Sequence, residues 1–164
     1  MTKARLQLRD GLRITGKIRL TARDPWTGRI VGVVESENLV VTAGKALLCQ
    51  MLIDDAGYDT GITYCALGIS ATAPAITDTQ LTSETSRLEI AANGSKSRAV
   101  NVITFSTFFL AAVCSIFIQE VGLFGHSTAT AAANSGVLFA HGLLSYDNQA
   151  GNVDLTIDYV VSIS

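Results

Sequence analysis

Residues 12–23 read LRITGKIRLTAR, and their alternation decides the fold class. Leu12, Ile14, Ile18, Leu20 and Ala22 fall on one face. Arg13, Thr15, Lys17, Arg19, Thr21 and Arg23 fall on the other. A period of two with one cationic face marks a half-exposed β-strand. The next residues, Asp24-Pro25-Trp26-Thr27-Gly28, supply turn chemistry, since proline presets φ and glycine accepts positive φ. Residues 29–37 return as a second strand, so 12–37 is predicted to be a hairpin. Its cationic face would oppose edge-to-edge aggregation.

Beyond the hairpin, Thr42 is placed to cap a helix over 43–53, in which Leu47, Leu48, Met51 and Leu52 recur at helical spacing. Residues 63–67 and 84–92 read as strands, and Asn93-Gly94 is a strong two-residue hairpin signal. Strand patterns follow over 97–110, 115–124, 136–144 and 152–163. The last alternates Val153, Leu155, Ile157, Tyr159, Val161 and Ile163 with polar residues. The pattern predicts a mainly β protein, an antiparallel β-sandwich of about seven or eight strands with one α-helix. It forms a single domain over 12–164, preceded by a basic arm over 1–11. Residues 102–118 (VITFSTFFLAAVCSIFI) carry no charge and approach the length of a spanning helix. Their Val, Ile, Thr and Phe content instead predicts two buried strands joined by a tight turn, with no membrane partner.

The chain has 164 residues, 48% hydrophobic and 16% charged, with two prolines, which excludes a disordered chain. Charge is divided unevenly. Lys3, Arg5, Arg9, Arg13, Lys17, Arg19, Arg23 and Arg29 face only Asp10 and Asp24 within residues 1–29, a net of +6. The remaining residues carry a net of −8. Lys3, Arg5, Arg9, Arg13, Lys17, Arg19 and Arg23 are therefore the candidate partner-binding arm, suited to an acidic surface on a neighbouring copy or partner. No nucleic-acid recognition motif accompanies them, and no nucleic acid is expected.

No catalytic constellation emerges. His126 and His141 lack a second spaced ligand, so no metal site is predicted. Neither a nucleophile elbow nor a glycine-rich phosphate loop occurs, which leaves no cofactor and no enzymatic activity to expect. Asp54, Asp55 and Asp59 only loosely resemble a cation loop. Cys49, Cys65 and Cys114 read as three buried free thiols. The telling charges are Glu84, Arg87 and Glu120, each set among apolar neighbours. A lone buried charge is costly, so Arg87 is expected to bridge one or both glutamates.

Several stretches in order resemble a family of short tailed-bacteriophage virion proteins. They are GKIRLTARDPWTGRIVGVVESENLVVTAGKALL, ALGISATAPAITDTQLTSETSR, IQEVGLFG, GVLFAHGLL and VDLTIDYVVSI, together spanning 16–163. IQEVGLFG is similar also to a strand of phage tail-collar and fibre-attachment domains. Cys65 and the very apolar run FFLAAVCSIFI depart from the pattern, and the run points to burial between subunits. The resemblance implies a capsid decoration (cement) protein, trimeric, on the major capsid protein of a virion assembled in the bacterial cytoplasm. A neck, collar or baseplate component that anchors a fibre is the alternative. It also implies that Glu84, Arg87 and Glu120 are framework charges. A carbohydrate-binding sandwich, with Trp26 and Tyr58 on loops, is a third possibility.

Overall fold

The alternating stretch becomes β1 (Ile14–Arg23), in a computed structural model that describes residues 13–53, 56 and 61–164. Ile18, Leu20 and Ala22 turn inward and are buried, while Lys17, Arg19 and Arg23 face out. At the turn, the Asp24 carboxylate accepts the N–H groups of Thr27 (2.7 Å) and Trp26 (3.0 Å) and the Thr27 hydroxyl (2.8 Å). These donors, the Thr27 N–H foremost, hold the Asp24 carboxyl below its ordinary range. Gly28 takes φ +68°, as the turn requires. β2 (Ile30–Val40) then returns antiparallel, with Lys17 opposite Glu37 and Arg19 opposite Glu35.

After β2 comes helix α1 (Thr42–Leu52). It starts one residue earlier than its periodicity suggests, and Thr42 is not its cap. Val41 holds that place, and the Thr42 N–H donates to the Ile76 carbonyl at 2.8 Å. Seven strands and two further helical turns, the second a 3₁₀ turn at Ala111–Val113, complete the described secondary structure. They are β3 (Ile62–Gly68), β4 (Glu84–Glu89), the single-turn α2 (Ile90–Asn93) and β5 (Gly94–Ala99). β6 (Val102–Phe109), β7 (Phe117–Gly125), β8 (Val137–Asp147) and β9 (Asp154–Ile163) follow.

Every pairing is antiparallel, and the nine strands form one sheet in the order β4-β3-β7-β8-β2-β1-β9-β6-β5. The sheet curls around its apolar face, so the two layers of the expected sandwich are halves of one continuous sheet. Ile18, Leu20, Leu67, Phe109, Leu123 and Tyr159 fill the interior, each with at most 1% of its surface exposed. Burying each such side chain is worth about 1.5–3 kcal/mol. The edge strands β4 and β5 are consecutive in the chain, and α2 bridges them, with Ile90 fully buried in the core.

Three expectations change. Asn93-Gly94 does not make a hairpin turn: Gly94 is extended at φ 178° and opens β5. The turn lies at Val100, where φ is +55°, and it splits 97–110 into β5 and β6. Burial of Ile90 draws 90–93 into a helical turn and overrides the local signal. The uncharged run does hold two strands, but no tight turn joins them. β6 pairs with β5 and β9, and β7 with β3 and β8, so residues 110–116 carry the chain between the two halves of the sheet. Among the described residues no helix is long and apolar enough to cross a membrane. Finally, β1 is not an edge, since β2 and β9 flank it.

α1 lies against β8 through Gly44, where a Cβ would collide with the Phe139 carbonyl oxygen. Gly44→Ala must therefore push the helix outward. A loss of about 1–3 kcal/mol is expected, lowering the melting temperature by about 2–10 °C in a calorimetric scan.

Candidate functional site

The charges singled out by sequence fall on two outer surfaces of the sheet. On the first, Arg13 heads β1 and exchanges backbone hydrogen bonds with Ser164 at 2.6 and 2.9 Å. Lys17, Arg19 and Arg23 project from β1 between acidic neighbours. Glu35 and Glu37 stand on β2, and Asp158 and Asp154 lie opposite Arg19 and Arg23 on β9. Arg19 approaches Glu35 at 3.4 Å, with both side chains more than half exposed. Such a pair contributes under about 1 kcal/mol. These four cations thus belong to or adjoin an interior strand, and Lys17, Arg19 and Arg23 have acidic residues on the neighbouring strands. Lys3, Arg5 and Arg9 of the candidate arm lie outside the described residues.

The second surface is the outer face of β4, β3, β7 and β8. Register places Arg87, Ala66, Gly122 and His141 in one row across it. The small central pair leaves a dimple, and the connection between β3 and β4 fills it with fully buried Leu81. A Cβ on Gly122 would come within 2.9 Å of the Leu81 side chain.

At one end of the row the Arg87 guanidinium donates to Glu84 through Nε (2.6 Å) and Nη2 (2.8 Å). Its Nη1 donates to the Ser135 carbonyl (2.7 Å) and hydroxyl (3.0 Å). The same group sits 4.0 Å from the centre of the Phe124 ring. Both side chains of the ion pair are at most 2% exposed. This fork, with its carbonyl and hydroxyl acceptors, satisfies a buried charge pair that would otherwise be costly.

Glu120 is not part of that pair. It is fully buried, and its carboxylate accepts the N–H groups of Ser83 (2.6 Å) and Thr82 (3.0 Å) and faces His141 Nε2 at 3.1 Å. The other ring nitrogen, Nδ1, lies 2.8 Å from Asp78 Oδ2. Arg87 therefore bridges Glu84 alone, because Glu120 is occupied by the descending loop and by His141.

In the sequence His141 is weighed only as a metal ligand, and Asp78 carries no signal of its own. The available signal was a lone polar residue inside the apolar strand GVLFAHGLL, which demands a buried partner. With both ring nitrogens engaged by carboxylates, the arrangement pins residues 78–83 to β7 and β8. Its carboxylates stand on opposite sides of the ring, and among the described residues no cluster of three His, Cys, Asp or Glu side chains is placed to hold a metal ion.

Asp54, Asp55, Tyr58 and Asp59 lie outside the described residues. Trp26 stands 93% exposed at the tip of the first hairpin. Cys49 is exposed, contrary to the expectation of three buried thiols, because it lies on the outward face of α1. No protein-family profile, curated protein or solved structure matches the chain.

Two outcomes follow from the buried groups. Arg87→Leu strands the Glu84 carboxylate and should cost about 3–5 kcal/mol in denaturant unfolding, much of it recovered by also replacing Glu84 with Leu. Burial pushes the Cys65 thiol up to about 12 and Cys114 up to about 11, so little thiolate forms at pH 8. A maleimide should therefore label Cys49 alone in the folded chain, and all three cysteines after denaturation, as read by intact-mass spectrometry.

Proposed function

We propose that the protein is a non-enzymatic structural component of a tailed-bacteriophage virion, a capsid decoration (cement) protein that binds the shell and stabilises it through subunit contacts. One observation carries this reading. Residues from three of the stretches on which the resemblance rests converge on a single buried cluster: Glu84 and Arg87, then Glu120, Gly122 and Phe124, then His141. The cluster fixes surface loops onto a sheet, as framework charges would.

A homo-oligomer, taken as a trimer, on the major capsid protein accounts for the surface the single chain leaves open. Val33, Thr21, Thr156 and Phe108 form a row across the outer face, and its two ends are exposed and apolar. Ile30 and Leu110 are exposed near the same end of the sheet. Exposed apolar side chains grouped toward one end of the outer face are surface that assembly would cover.

The neck, collar or baseplate reading is favoured by the IQEVGLFG strand, which forms β7 at the centre of the cluster. Exposed Trp26 favours a carbohydrate-binding module, and silence on a broad glycan array would retire it.

Copy number per purified particle decides between the virion placements. Quantitative mass spectrometry against the major shell protein should return on the order of hundreds of copies for a decoration protein. A small cyclic multiple, about three to twelve, would place the chain at the neck or tail and overturn the cement reading.

A further inference from the structure

The curled sheet carries an opening in its middle. β2 pairs with β8 only at Asn38, Leu39 and Val40. Among the described residues, no strand lies on that side of β2 from Ile30 to Glu37. Instead β2 and β8 splay around a cleft of about 430 Å³, lined by Val34, Ser36, Ala71, Leu143, Leu144 and Ser145. On its paired side the same stretch meets β1 in a defined pattern, with Lys17 opposite Glu37, Arg19 opposite Glu35, Leu20 opposite Val34 and Ala22 opposite Gly32.

That pattern recurs in the chain. Residues 3–9 read KARLQLR and residues 17–23 read KIRLTAR, with Lys, Arg, Leu and Arg at the same four places. We propose that residues 3–9 of a second copy of this chain add as an antiparallel strand to the open edge of β2, in the register by which β1 occupies the other edge. Lys3 then lies opposite Glu37 and Arg5 opposite Glu35, so each exposed glutamate has a cation on both flanks. Leu6 lies opposite Val34 and Leu8 opposite Gly32, which turns the apolar side of the segment toward the cleft. Strand addition supplies main-chain hydrogen bonds, and the alternating pockets supply selectivity.

The donor is another copy because the chain cannot reach its own edge in this register. Arg9 would stand level with Val31, whereas Arg13 is fixed beside Ser164, three residues before Gly16, which pairs with Asn38. The separation along β2 is about ten residues, roughly 33 Å. Four residues of extended chain span at most about 14 Å. The inference goes beyond the virion reading and stands without it.

The test uses the full chain. On the open edge the free main-chain groups of β2 belong to Val33, Glu35 and Glu37, since Val34 and Ser36 bond to β1. Gln7→Pro, opposite Val33, removes a main-chain donor that would face β2 and leaves the acceptor edge and the segment's charges untouched. Sedimentation should show the unaltered chain as an oligomer and the Gln7→Pro chain as a monomer. A fluorescent peptide of residues 2–9 should bind the Gln7→Pro chain. The same peptide with Lys3→Glu and Arg5→Glu should bind at least about tenfold more weakly, since two attractive cross-strand pairs become repulsive.

A monomeric unaltered chain overturns the proposal, as does a Gln7→Pro chain that still assembles or that fails to bind the unaltered peptide. So does equal binding of the charge-reversed peptide. The particle copy number is independent of all three outcomes, so the two readings fail separately.

Discussion

Ile90 is where the two edges of the sheet meet, and the curl depends on it. A nine-stranded antiparallel sheet has one apolar face to hide and two edges to protect. Here the edge strands β4 and β5 are neighbours in sequence, and a single helical turn carries the chain from one to the other. With its side chain wholly buried, Ile90 seals the interior at that seam. Without such a plug the sheet would have to open, exposing the row of aromatic and aliphatic side chains that its curvature encloses.

The outer face of β4, β3, β7 and β8 solves a second problem. The long connections of 69–83 and 126–136 contain little that could hold them by hydrophobic burial alone. Leu81 supplies one anchor, and the others are polar, through the Glu84–Arg87 ion pair, the hydrogen bonds of His141 with Glu120 and Asp78, and the Thr42 N–H on the Ile76 carbonyl. Buried charges of this kind fix geometry more than they add net stability. Loops so held present a constant surface.

Much of the architecture was legible from alternation. β1, β2 and β9 follow their period-two patterns closely, and α1 follows its leucine spacing to within a residue or so. Local turn chemistry succeeded at Asp24, whose carboxylate organises its own turn. It failed at Asn93-Gly94, where burial of Ile90 won over the dipeptide's preference. The need for a partner at Arg87 was readable from its apolar setting, but the choice of Glu84 over Glu120 was not. That choice depends on strand register and on where the loop descends, neither of which spacing encodes. His141 illustrates the same limit, since its partners lie 21 and 63 residues away.

The strand order also governs the sequence of events in folding. β1 and β9 stand side by side at the middle of the sheet, yet their paired residues are drawn from opposite ends of the described chain. A ribosome delivers β9 after every other described strand, so the inner faces of β1 and β6 have no common neighbour until that moment. Contacts of such long sequence separation slow the search for the native state. The interior therefore cannot close before β9 has been made, and Ile18, Leu20 and Phe109 stay open to solvent and to chaperones until then.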